Sequence, residues 1–113
     1  MAFMKENIFE RIINGELPCE KIYEDEICLA FNDLYPQAKT HILVIPKIVM
    51  KTAKEVTEEN KNIFGHLILA ARKIAEQQNM SDYKLMMNVG EESGQTVPHV
   101  HLHLLSPDYK SSL

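Results

Sequence analysis

The chain has 113 residues, 45% of them hydrophobic and 25% charged, with a net charge of −4, which fits one compact soluble domain spanning residues 1–113. An acidic chain has no general electrostatic pull on nucleic acid, so any phosphate it binds must be held by local groups. No apolar run approaches the roughly 18 residues of a membrane span, and Met1 to Glu10 carries Lys5, Glu6 and Glu10 in place of an apolar leader, so a cytoplasmic protein without nucleic-acid or membrane partners is expected.

Ile8, Phe9, Ile12 and Ile13 recur at helical spacing and Gly15 is a plausible stop, which predicts a short N-terminal helix. Beyond Pro18, Lys21 to Glu24 and Ile27 to Phe31 read as two strands around the polar turn Glu24-Asp25-Glu26. In the second strand Ile27, Leu29 and Phe31 share one face, and Cys28 and Ala30 the other. Asp33 to Lys39 contains Pro36 and reads as a loop, and His41 to Ile45, ending at Pro46, as a third strand. Cys19 and Cys28 have no paired spacing and read as free, packed thiols.

Thr57 is a good N-cap for a long helix with Glu58 and Glu59 at its positive end. Ile63, Phe64, Leu67, Ile68, Ala71, Ile74 and Ala75 give it one apolar face, and it should end near Asn79. His66, within it, reads as a partly buried helix histidine. Lys84 to Asn88 is a fourth predicted strand, and Gly90 to Gly94 a loop. Val100, Leu102 and Leu104 alternate with His99, His101 and His103 in a fifth. The expected class is α+β: a five-stranded antiparallel sheet with one long helix and a short N-terminal helix.

His99-Val100-His101-Leu102-His103 carries the chemistry. On a strand all three rings leave one face, about 7 Å apart at the Cα level, while the apolar residues between them point to the helix-covered core. Three readings compete. A structural one needs a partner for each buried ring, and a metal site is open because neutral imidazole is a common ligand. A catalytic row explains the regular alternation best. Just upstream, Gly94 permits close backbone approach, and Gln95 and Thr96 add donors for phosphate oxygens.

This row and its loop resemble the histidine triad family, whose motif of three histidines alternating with apolar residues stands complete as His99-Val100-His101-Leu102-His103-Leu104-Leu105. Ile8-Phe9, Ile12-Ile13, Tyr23-Glu24-Asp25, Leu29-Ala30-Phe31, Asp33, Pro36-Gln37-Ala38 and His41 to Lys47 resemble its Hint branch, over about residues 7 to 105. The resemblance implies an enzyme: a dimeric purine nucleoside phosphoramidate hydrolase with no cofactor and a nucleotidyl intermediate on the middle histidine. It makes His101 the nucleophile and His103 a phosphate donor, with His99 and His41 in support. Asn88, Gly94, Gln95, Thr96 and Val97 would line the phosphate side. Asp33, beside Phe31 and Leu34, would accept from the ribose, and Phe9, Ile12 and Leu17 would wall the base. Asn32 stands where the branch often has a histidine.

Two departures matter. Several bacterial relatives bind zinc through an N-terminal cysteine pair and two histidines. Here Asn7 and Glu10 stand at the cysteine positions, and His41 and His99 alone cannot complete a four-coordinate site, so no metal is expected. The ending Ser106 to Leu113 lacks the Trp-Pro-Pro-Gly type of tail, which leaves the leaving group unassigned. A related triad enzyme that cleaves dinucleoside polyphosphates or transfers nucleotides, and a nucleotide-binding interaction module, are the alternatives.

Overall fold

The structure, a computed structural model, describes residues 5–109. The expected start before Lys5 and the end of the departing tail, from Lys110 on, lie outside the described residues. The elements follow as α1 (Ile8–Ile13), β1 (Lys21–Glu24), β2 (Cys28–Asn32), β3 (His41–Pro46), α2 (Lys61–Gln77), β4 (Lys84–Met86) and β5 (Leu102–Leu105). Short 3-10 turns at Ala53–Glu55 and Glu91–Ser93 were not foreseen. The strands form one antiparallel sheet in the order β1-β2-β3-β5-β4, the α+β architecture expected.

Alternation along the strands sorts the apolar residues onto two faces. Cys28 and Ala30 of β2, Ile42 and Val44 of β3, and Val100, Leu102 and Leu104 pack with Leu67, Ala70, Ala71, Ile74 and Ala75 of α2. Leu29, Phe31, Leu43 and Ile45 face the other way and meet Phe9 of α1 and Val97. The site is built on this second face. Cys19 and Cys28 are both free thiols, as expected.

Boundaries moved where backbone groups found other partners. The long helix starts at Lys61, not just after Thr57. Thr57 does cap a turn: its Oγ1 accepts from Asn60 N–H and its carbonyl from Lys61 N–H, but residues 58–60 form that turn without joining the helix. Ile68, assigned to the apolar face, is 53% exposed, because its position points it away from the sheet while Ala70 takes its place. The fourth strand stops at Met86 instead of Asn88.

The largest correction concerns the fifth strand, which begins at Leu102 and leaves His99 and His101 before the ladder. The register Val44↔Leu102 would set Pro46 opposite Val100, and proline has no N–H to donate. Val100 N–H goes instead to the Met50 carbonyl, and His99 N–H to the Val97 carbonyl. The side-chain alternation survives, since Val100 remains in the helix-side core.

Candidate active site

Four imidazoles meet on the α1 side of the sheet. His41, His99, His101 and His103 are each no more than 9% exposed. The His101 and His103 ring centroids lie 5.0 Å apart, and those of His41 and His103 5.1 Å. Phe9 stands edge-on to His101 at 5.1 Å and to His99 at 6.1 Å.

Their hydrogen bonds assign the protons. Gln37 N–H donates to His41 Nδ1 at 3.0 Å, so neutral His41 carries its proton on Nε2. That proton faces His103 Nδ1 at 2.8 Å, so His103 is protonated on Nε2. His103 Nε2 is the one buried side-chain nitrogen or oxygen among the described residues with no hydrogen-bond partner. In the second chain His99 Nε2 donates to the Pro46 carbonyl at 2.8 Å and its Nδ1 accepts from Asn7 Nδ2–H at 2.9 Å. His101 Nδ1 donates to the His99 carbonyl at 2.8 Å, which leaves the lone pair of its neutral ring on Nε2.

Burial keeps the rings neutral. Desolvation pushes the imidazolium pKa down in His41, His99 and His101, and in His103, with His101 and His41 adding to it, down to about 3. A neutral His101 is the nucleophilic form.

A cavity of about 280 Å³ opens onto this row, lined in part by Phe9, Asp33, Thr96, Val97, His101 and His103. A second, of about 220 Å³, is walled by Ile12, Pro18 and Phe31, with Cys19, Glu20 and Asn32 as its polar groups. Leu34, 83% exposed, borders both. Both linings are mostly apolar; the first has a polar end at the histidines, and the second forms an annex beside it. Asp33 stands at the polar end, its Oδ1 accepting from Tyr35 N–H at 2.8 Å and its Oδ2 3.3 Å from His41 Nε2. A carboxylate retains acceptor capacity beyond those bonds.

Four expected residues are placed differently. Gln95 is 1% exposed, its Oε1 accepts from Gly90 N–H, its Nε2 donates to the Lys51 and Val97 carbonyls, and its N–H to the Gly90 carbonyl. It pins the loop from inside and has no donor left for a ligand. Gly94, at φ +98°, supplies the turn a side chain would strain, and Asn88 packs beside it; neither lines the cavity, which takes Thr96 and Val97 from this segment. Leu17 lines neither cavity, because the chain folds back after Gly15 and hands its N–H to the Arg11 carbonyl; Pro18 and Cys19 form that wall. Sequence reasoning missed the Gln37 N–H, the Pro46 carbonyl and the Asn7 amide. Only Asn7 left a trace, as a capping residue type before a helix.

His66 is half-buried and paired with Asp25 at 2.7 Å. Burial disfavours the Asp25 anion, but bonds from the Cys28 and Ile27 amides, His66 and Tyr23 outweigh it and hold its pKa well below the carboxylate range. This network ties the β1–β2 turn to α2, away from the histidine row. Among the described residues no helix is long and apolar enough to cross a membrane.

A family model described as "Scavenger mRNA decapping enzyme C-term binding" matches residues 6–113. A purine nucleoside phosphoramidase of Escherichia coli K12 is 44% identical over 103 residues, 89% of this chain and 87% of that protein. A HIT family hydrolase from Clostridium thermocellum superposes with a TM-score of 0.89 at 38% identity, over 97% of this chain and 99% of that one. Another from Legionella pneumophila gives 0.86 at 38% identity, over 90% and 93%.

Proposed function

The chain belongs to the histidine triad family and is an enzyme of it, and from that premise we propose that it hydrolyses purine nucleoside 5′-monophosphoramidates through a nucleotidyl intermediate on His101. The observation that carries the reading is the pairing of two ring nitrogens at one cavity. His101 Nε2 offers a lone pair, and His103 Nε2–H is a buried donor without a partner.

In the first displacement His101 Nε2 bonds to the α-phosphorus while the bond from phosphorus to the leaving amine breaks and the amine departs with a proton taken from solvent. In the second, the oxygen of water bonds to phosphorus as the P–Nε2 bond breaks, a proton returns to solvent, and the nucleoside monophosphate leaves the ring neutral with its Nδ1–H in place. Two displacements are each easier than one. The nucleotidyl ring is cationic, and its Nδ1–H already points at the His99 carbonyl at 2.8 Å, which favours that charge. His103 Nε2–H donates to a phosphoryl oxygen as negative charge grows there. Asp33 accepts from the ribose, and the base lies against Ile12, Phe31 and Leu34. All these groups belong to the chain itself, and the reading invokes no cofactor or metal. It includes a homodimer and a cytoplasmic setting, for which free thiols are suited.

Mass spectrometry and rapid-quench labelling with an adenosine phosphoramidate test it. Nucleotidyl-protein is expected on His101, and His101→Ala should lose turnover while keeping nucleotide affinity nearly intact. His103→Ala should lose about 10²–10³ in rate, as when one oxyanion donor is removed, and His99→Ala less. Label on another residue, or near-normal turnover by His101→Ala, refutes the mechanism.

A further inference from the structure

The side-chain amide of Asn7 is engaged at both ends. Its Oδ1 accepts from Glu10 N–H at 3.0 Å and caps α1, which fixes how the amide faces. Its Nδ2 is therefore the end that lies 2.9 Å from His99 Nδ1. Because His99 Nε2 donates to the Pro46 carbonyl, Nδ1 bears the lone pair that Asn7 meets. The His99 ring is 0% exposed, so without Asn7 that acceptor is buried and unsatisfied. The carbonyl of the same residue receives His101 Nδ1–H. Two residues beyond Asn7, Phe9 stands edge-on to both rings.

We propose that Asn7 is a positioning residue: its amide N–H locks the α1 cap to His99 and, through the His99 carbonyl, holds the His101 ring in its attacking orientation. The proposal rests on the reading of His101 as nucleophile. It goes beyond capping, because a cap needs only an acceptor and Ser or Asp serves as well as Asn. The donor half of the amide adds nothing to α1 and reaches across 92 positions of sequence to the histidine row.

Asn7→Ser and Asn7→Asp separate the two halves: both keep a cap acceptor, while the aspartate carboxylate has no donor and the serine hydroxyl lies one bond short of the Nδ2 position that meets His99. Each is compared with the parent chain by ¹⁵N NMR of the histidine rings and by steady-state kinetics with an adenosine phosphoramidate. The His99 Nδ1 resonance should move from its hydrogen-bonded position in both variants. The kcat should fall about tenfold or more with KM held within about twofold, the signature of lost orientation. Asn7→Asp, isosteric with the parent residue, keeps the test decisive if serine loosens α1. An Nδ1 resonance that neither substitution moves overturns the proposal, as does a moved resonance with undiminished kcat. Should the parent chain turn over no phosphoramidate, the functional reading fails separately, and the ring spectrum still decides whether Asn7 holds His99.

Discussion

Burying neutral histidines makes stability depend on pH in a range where few other groups titrate. His103 is 9% exposed and its pKa is pushed from 6.5 to about 3. Above pH 6.5 the ring is neutral in both folded and unfolded chains and contributes no pH dependence. As pH falls below 6.5 the unfolded chain takes up a proton that the folded chain refuses, so stability is lost progressively down to about pH 3. At about 1.36 kcal/mol per pKa unit, His103 alone removes roughly 2 kcal/mol between pH 7 and pH 5 and roughly 5 kcal/mol over the whole range. His41, His99 and His101 are shifted in the same direction and steepen the loss. The window from pH 7 to pH 5 isolates them, because the lowered carboxylates Glu24, Asp25 and Asp108 lose their contribution only as pH falls through values below their ordinary 4.5 and 3.8.

Urea unfolding at fixed protein concentration and several pH values measures this directly. The perturbation is His103→Asn, which cannot titrate and whose Oδ1 replaces Nδ1 as an acceptor for His41. Its stability should fall less steeply from pH 7 to pH 5 than that of the parent, by about one proton at the acid end of the window. A parent stability flat from pH 7 to pH 5, or an unchanged slope in His103→Asn, refutes the picture of rings held neutral by burial.

Asp33→Ala should weaken adenosine monophosphate more than its 2′-deoxy counterpart in calorimetry, by roughly 1.5–3 kcal/mol for charge-assisted bonds to hydroxyls; equal losses would remove Asp33 from the ribose. Adenosine and guanosine monophosphates should bind within about a hundredfold of each other, because apolar walls discriminate poorly between exocyclic groups. A larger preference would point to Glu20 and Asn32, the polar groups of the annex, as readers of the base edge. Light scattering at micromolar concentration should give the mass of a twofold dimer, with Ile68 and Leu69, 53% and 42% exposed on α2, covered; a monomeric mass refutes it.

The elements most legible in the sequence were those whose pattern serves packing. Strict alternation in Cys28 to Phe31 and in Val100 to Leu104 placed each side chain on its proper face, because a strand's two faces follow directly from its period of two. The histidine row was legible for the same reason. The illegible parts depend on where backbone groups find partners at long range. Nothing local to His99 announces that Pro46 cuts the ladder short, and nothing local to Gln95 that Gly90, Lys51 and Val97 consume every donor it has. Leu17 has the right character for a base wall, but the turn at Gly15 carries it off the cavity.

The predicted acid sensitivity and the proposed chemistry have one origin. A solvent-exposed imidazole is about one-quarter protonated at pH 7, and a protonated ring has no lone pair with which to attack phosphorus. Packing the row beneath Phe9 removes that inactive fraction, but every buried ring nitrogen then needs a partner. The protein leaves two ring nitrogens of the row unpaired, of which His103 Nε2 alone is buried. Gln37 and His41 settle His103 Nδ1, while Asn7, Pro46 and the His99 carbonyl settle His99 and His101 Nδ1. What is left is His101 Nε2, a lone pair, and His103 Nε2–H, a donor, on rings 5.0 Å apart in one cavity. A phosphoryl group satisfies both at once, offering phosphorus to the first and an oxygen to the second. On the proposed mechanism the unpaired donor, a cost to the fold of about 1–3 kcal/mol, is returned as affinity for the phosphoryl group, and as rate wherever the bond tightens in the transition state.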